Sequence, residues 1–291
     1  MTAETVTTDP PAIRALGADD ASAAARLSAL CNWNQTAADW RLMCALGQAY
    51  GIDGVNDTLT ATALSLPYDS GFGWISMVLV DPDWRRQGLA SALMARCIDD
   101  LRRQDRTPIL DATPAGRPVY EKLGFKAFAG LSRLHRGAAK PAAPNRQGAG
   151  IRPLGDSDWP AVLALDTKAF GADRGAILRH LAGRWAAAAW VSESTAGIDG
   201  FILGRDGRAA HQLGPLVATR EDSARALLSA AISVSEEALY IDLFDDHPAI
   251  AGWLGAQGFA AERPYYRMAA GPIPAPGDSA LTVAAAGPEL G

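Results

Sequence analysis

The seven residues Trp74–Val80, WISMVLV, are apolar with one interruption at Ser76. Side chains along a strand alternate between faces, so such a run predicts a central strand buried on both. Past Val80 the period changes. Leu89, Ala92, Leu93, Cys97 and Leu101 recur on one stripe, which predicts a helix from about Gly88 to Arg103. Upstream, the pattern predicts a strand over 13–16, a helix over 20–30, a polar loop over 31–38, a helix over 39–48 and two strands near 49–52 and 57–66. Downstream it predicts a strand over 109–112, a helix over 116–123 and a last strand near 125–134. Strands interrupted by two late helices describe an α+β unit, a mixed and mostly antiparallel sheet flanked by helices.

The same pattern returns. Ile13-Arg14-Ala15-Leu16-Gly17 is echoed by Ile151-Arg152-Pro153-Leu154-Gly155, and Gly124-Phe125 by Gly258-Phe259. Each half follows its opening strand with an acidic, cap-like cluster (Asp19 and Asp20; Asp156 and Asp158) and an alanine-rich helix. Each also carries an aspartate on a late apolar strand, Asp111 in PILDAT and Asp242 in LYIDLF. Four matches in one order predict a duplicated fold. The Pro- and Gly-rich stretch 137–150 reads as a linker between residues 1–136 and 151–270, and the Pro-, Gly- and Ala-rich residues 271–291 read as a flexible tail.

Composition narrows the class. The 291 residues, 48% hydrophobic and 20% charged, suit two soluble domains. No run of about 18 apolar residues occurs, so no membrane span is expected. The first residues lack the basic start and apolar core of an export signal. With three cysteines at no metal-type spacing, the chain is expected to be cytoplasmic with reduced thiols. Cys97 falls on the helix stripe and reads as core. The net charge of −5, with −6 carried by residues 151–291, argues against a nucleic-acid partner, although a local basic patch around Arg85, Arg86, Arg102 and Arg103 stays open. The four histidines show no metal spacing, so no metal is expected; there is no G-x-S-x-G elbow, and GFGWIS lacks the third glycine of a dinucleotide fingerprint.

Chemistry concentrates where the central strand hands over to the helix, in VDPDWRRQGLASALM. The first amides of a helix have no intrahelical acceptor, and the helix dipole adds partial positive charge there. A bare glycine lets an anion approach the backbone, and Arg85 and Arg86 add charge-assisted donors. The alternative is a helix start with solvated arginines. VLVDPDWRRQGLASALM, followed by AGRPVYEKLGF, resembles the GNAT superfamily, the Gcn5-related N-acetyltransferases. Its (Q/R)-x-x-G-x-(G/A) signature is matched by Arg85, Gly88 and Ala90, and residues 151–269 resemble a second, degenerate copy, as in tandem-GNAT proteins.

The resemblance implies roles. Backbone amides of Arg86, Gln87, Gly88, Leu89, Ala90 and Ser91 would cradle the pyrophosphate of acetyl-CoA, with Arg85 beside them. The main chain of Val78, Leu79 and Val80 would run beside pantetheine, with the Val78 amide facing the thioester oxygen. Tyr120 occupies the position of the family's usual general acid; otherwise it is a core aromatic. Asp111 reads either as a substrate contact or proton relay, or as a cap or turn former, and Asp81 as a turn residue. The loop 31–40 would wall the acceptor: Asn32, Trp33, Asn34, Gln35 and Trp40 suit a cationic or hydroxylated ligand, against the alternative of a Thr36 helix cap with packed tryptophans.

The matching segment of the second half, GPLVATREDSARALL, has no glycine where Gly88 would be, and the counterpart of Tyr120 is apolar, Ile250 or Leu254 according to the alignment. That half is expected to keep the fold without the cofactor, covering the acceptor or mediating a homodimer, while a monomer stays possible. Asp242, Asp245, Asp246 and His247 are substrate contacts or an exposed strand end and turn. The resulting expectation is an acetyl-CoA-dependent N-acyltransferase acting on a small-molecule amine. A non-catalytic CoA-sensing module and an aminoacyl transferase fed by charged tRNA are the competitors; overall acidity and the intact phosphate loop count against the latter.

Overall fold

The computed structural model describes residues 12–54, 58–140, 150–272 and 277–291. Expectations that fall on residues 1–11, 57, 141–149 and 273–276 lie outside the described residues. In the first half, β1 (Ile13–Leu16) leads to α1 (Ala21–Leu30), α2 (Ala37–Leu46), β2 (Gln48–Asp53), β3 (Leu59–Pro67), β4 (Phe72–Val80), α3 (Leu89–Arg102), β5 (Thr107–Ala112), α4 (Arg117–Lys122) and β6 (Lys126–Arg136). The second half repeats the series as β7 (Gly150–Pro153), α5 (Trp159–Phe170), α6 (Gly175–Arg184), β8 (Trp190–Ser194), β9 (Gly197–Arg205), β10 (His211–Ala218), α7 (Glu221–Ile232), β11 (Leu239–Phe244), α8 (Pro248–Ala256) and β12 (Ala260–Ala269); β13 (Thr282–Ala284) is extra. Helix α2 begins two residues before its expected start, because Asp39 accepts from both the amide and the hydroxyl of Thr36 and closes the first turn there.

The duplication extends to individual bonds. Arg14 pairs with Asp20 and Asp53, and Arg152 with Asp158 and Glu193. The Phe125 amide donates to the Tyr120 carbonyl, and the Phe259 amide to the Leu254 carbonyl, so Leu254 rather than Ile250 is the counterpart of Tyr120.

The two halves do not divide at the linker. One sheet runs β1-β2-β3-β4-β5-β12-β6-β11-β13-β10-β9-β8-β7. It is antiparallel except for the β4–β5 and β10–β11 pairs. β12 lies between β5 and β6, and β6 lies between β12 and β11. Thus β6 and β12 form one antiparallel pair that both halves share. This corrects the boundaries 1–136 and 151–270 as structural units: the last strand of each is embedded in the other.

Ion pairs fix that register. Arg267 on β12 donates two hydrogen bonds of 2.9 Å to Asp111 on β5, and Arg133 on β6 donates two of 2.8 Å to Asp242 on β11. All four side chains are buried. Such a pair adds little net stability over apolar packing, but removing one partner strands a buried charge and costs about 3–5 kcal/mol. Beneath the sheet, Leu27, Trp40 and Met43 from α1 and α2 share a core with Val162, Leu178 and Leu181 from α5 and α6. On the other face α3 and α7 cover separate clusters.

The expected flexible tail over 271–291 is corrected for its last eleven residues. Residues 281–291 are all buried, and β13 pairs with both β10 and β11. The segment TVAAAGPELG is short and apolar enough to fill a gap in a sheet, which its small residues obscure in the sequence.

Candidate active site

β4 and β5 run together only over Phe72–Trp74 and Thr107–Ile109. Beyond that β5 turns toward β12 and the strands part. A bulge sharpens the parting. Thr62 faces Leu79 and Leu64 faces Ser76, so Ala63 opposes both Met77 and Val78. Met77 sits at φ 51°, with its carbonyl held by the Thr62 hydroxyl at 2.8 Å. The wedge opens into a cleft of about 760 Å³. Ser76–Val80 line one wall, Leu110, Asp111 and Tyr120 the other, and Arg85, Arg86 and Gly88–Ser91 the mouth.

At that mouth the turn carries two left-handed residues. Asp81 accepts from the Asp83 amide and turns the chain out of β4. Arg86 lies at φ 64° and Gly88 at φ 81°, and Gly88 is the residue before the first turn of α3. Left-handed residues next to a helix start can turn successive amides to one side, the backbone shape of a concave anion site. A Cβ built on Gly88 would meet no protein atom within 4 Å, so the backbone there faces open space. Arg85 folds back, its Nε donating to the Val80 carbonyl at 3.3 Å. Gln87 is exposed and does not line the cleft with its neighbours.

Tyr120 projects from α4 onto the cleft, with its ring 6.1 Å from that of Phe125. Burial pushes its hydroxyl up to about 12, so it stays a proton donor throughout the neutral range. Cys31, which also lines the cleft, has its thiol pushed up by burial and is no thiolate at neutral pH. Asp111 lines the cleft too, but both of its carboxylate oxygens are taken by Arg267. Its geometry is that of a strand-register lock, with one guanidinium bond on each oxygen.

The acceptor wall expected over 31–40 is largely corrected. Of Asn32, Trp33, Asn34, Gln35 and Trp40, only Trp33 lines the cleft. Trp40 is fully buried and bonds Ser28. Asn34 is buried against the second half, accepting from the Ala209 and Ala210 amides and donating to the Ala210 carbonyl. Gln35 is buried, and Asn32 is an exposed turn residue at φ 59°. Asn34 thus fastens the two halves. Conversely, the sequence reading missed Ser76, Arg263, Pro288 and Glu289, all of which line the cleft. The last two arrive on the residues expected to be loose; the one available signal was an acidic residue within an otherwise apolar stretch.

The equivalent wedge of the second half is filled. β13 enters between β10 and β11, and Val283 and Ala284 pack into that half's core. The turn before α7 is reduced to Thr219 and Arg220, and the helix opens on Glu221 and Asp222, acids placed where α3 leaves its amides free. Leu254 is buried in place of a tyrosine. Of the residues expected as contacts or turns, Asp242 is bound to Arg133, Asp245 accepts from Ser132, and the His247 ring meets the Thr282 carbonyl.

Comparison with known proteins agrees with this architecture. Two family models, each described as an acetyltransferase (GNAT) domain, match residues 55–138 and 162–281. The chain belongs to the GNAT acetyltransferases and carries two such domains in tandem. It is 25% identical over 224 residues to the uncharacterized N-acetyltransferase YitH of Bacillus subtilis (strain 168), covering 75% of this chain and 77% of that one. A solved structure from Pyrococcus horikoshii superposes with a TM-score of 0.79 at 19% identity, over 100% of this chain and 99% of the other. A tandem GNAT protein from the clavulanic acid biosynthesis pathway superposes at 0.61 and 18% identity, over 91% and 100%. Among the described residues no helix is long and apolar enough to cross a membrane, and no group of three His, Cys, Asp or Glu side chains could hold a metal.

Proposed function

We propose that the chain transfers an acetyl group from acetyl-CoA to the amine of a small molecule. The observation that carries this reading is the cleft itself: a bulged strand on one side, an amide-rich turn at its mouth and a protonated phenol opposite. The amides of residues 86–91, with Arg85 and Arg86, fit the pyrophosphate, and the open space over Gly88 gives it room. The main chain of Val78–Val80 runs beside pantetheine, the Val78 amide supports the oxyanion, and Tyr120 stands where the thiolate departs. Trp33 and Arg263, whose guanidinium lies 6.0 Å from the indole, border the acceptor.

Calorimetric titration with acetyl-CoA tests the phosphate turn. Gly88→Val forces a branched residue into φ 81°, which costs about 1–2 kcal/mol for an L-residue, so the free turn relaxes away from the binding shape. Affinity should fall about tenfold or more; an unchanged affinity in a folded variant would remove the turn from the binding site. Stoichiometry in the wild-type chain should be one, because β13 occupies the second wedge. Two equivalents bound would contradict that reading, and tight binding without turnover of any amine would favour a sensor.

A further inference from the structure

Of the two carboxylates lining the cleft among the described residues, Asp111 is committed to Arg267. Glu289 is not fully committed. It is 1% exposed, and its Oε1 accepts from Arg205 on β9, while its Oε2 has no hydrogen-bond partner among the described residues. A carboxylate oxygen buried without a donor is costly once ionised, which points to a donor that arrives with a ligand. The Ser76 hydroxyl, also lining the cleft, is likewise buried without a partner.

The position of Glu289 is built. Trp74 Nε1 donates to the Pro288 carbonyl at 2.9 Å, and the Tyr68 hydroxyl to the Leu290 carbonyl at 2.7 Å, one on each side of it. Gly287 lies at φ 138°, and a Cβ there would come within 2.9 Å of both Glu289 oxygens. Its bareness makes room for the carboxylate. Among the described residues no histidine lines the cleft, the Cys31 thiol is pushed up by burial, and Tyr120 keeps its proton. Yet an alkylammonium of ordinary pKa about 10 must lose a proton before it can attack a thioester.

We propose that Glu289 is the acceptor-binding base: its Oε2 receives the acceptor's ammonium group within the cleft that Ser76 also lines, and takes one proton from it. This deepens the acyl-transfer reading and rests on it. The neutral nitrogen then attacks the thioester carbon; the C–N bond forms and the C–S bond breaks. The second proton, left on nitrogen after attack, passes to the departing sulfur through the Tyr120 hydroxyl, and Glu289 releases the first to solvent. Amine cation and acetyl-CoA become amide, CoA thiol and one proton. The recognised group is therefore a cationic primary amine rather than an alcohol.

Charged and titratable groups surround Glu289 on several elements: Arg205 on β9, Asp39 on α2, Arg133 on β6 with Asp242 on β11, Tyr265 on β12 and Tyr68 after β3. Burial raises its pKa above the ordinary glutamate value, against the pull of Arg205. Activity should therefore rise through that raised value and stay level until the free amine deprotonates near pH 10 or so.

The test uses full-length protein, a panel of primary amines (polyamines, aminoglycosides, amino-acid esters and arylalkylamines) and CoA thiol release, with acetyl-CoA affinity titrated separately. For the best-used amine, Glu289→Gln should lower kcat/KM by about 10²–10⁴ near neutral pH. Its profile should climb tenfold per pH unit toward the amine's own pKa, while acetyl-CoA affinity holds within a few-fold. Glu289→Asp, which keeps the charge but withdraws it by one methylene, should be slowed with the wild-type profile shape retained, and covers the case in which the Gln variant does not fold. Wild-type rates in either folded variant, or a uniform loss in Glu289→Gln without the steep climb, would overturn the role of Glu289. Failure of the wild-type chain to bind acetyl-CoA would instead overturn the acyl-transfer reading.

Discussion

Residues 1–140 and 150–291, produced as separate polypeptides, should each fail to fold and should recover when produced together. Each half lacks a strand that only the other supplies: β5 loses β12, and β11 loses β6. The exposed edges are central, apolar strands of the kind that aggregate when unpaired. Separation also strands Asp111 without Arg267 and Asp242 without Arg133, at about 3–5 kcal/mol each if the carboxylates stay buried. Against a typical domain stability of about 5–15 kcal/mol, either loss is severe before the shared core is counted. Circular dichroism melts of the fragments should show no cooperative transition, and the co-produced pair should elute as a one-to-one complex that binds acetyl-CoA. A monomeric, cooperatively melting 150–291 fragment would contradict the shared-strand account.

Tyr120→Phe should cut turnover by about 10²–10⁴ while acetyl-CoA affinity stays within a few-fold. The substitution keeps the ring against Phe125 and deletes only the hydroxyl. A phenol held near 12 is a weak donor toward a thiolate whose conjugate acid has an ordinary pKa of about 8.5. It can serve only if its proton is replaced in the same step, from the nitrogen that has just attacked. The hydroxyl is then a two-way relay. Its own ionisation lies above the assay range, so Tyr120→Phe should depress the rate evenly from pH 6 to 9, unlike Glu289→Gln. Wild-type turnover under conditions where chemistry limits the rate would reduce Tyr120 to a packing residue.

Local patterns were legible where local physics decides them. The buried run at Trp74–Val80, the stripe from Leu89 to Leu101 and the bare Gly88 between them became β4, α3 and a left-handed turn residue. The duplication was visible in Ile13–Gly17 and Ile151–Gly155 because both build the same Arg–Asp lock. Long-range pairing was not legible. Nothing in KAFAGLSRLHR states whose strands it joins, and Asp111 looked available because its partner lies 156 residues away. Asn34 and Trp40 misled for the same reason, since buried polar groups that bind protein and those that bind ligand have the same composition. Glu289 was hidden by small neighbours that resemble a loose end.

A strand joined by a short stretch of chain to the groove it fills is an intramolecular ligand. Residues 277–284 follow β12 closely, so β13 meets the β10–β11 gap at the local concentration of a short tether, on the order of millimolar. Modest contacts suffice to keep it seated under those conditions, and a diffusing molecule at micromolar abundance competes at a disadvantage of about a thousandfold. Occupancy of one groove and the furnishing of the other thus fall to a single segment of fewer than twenty residues.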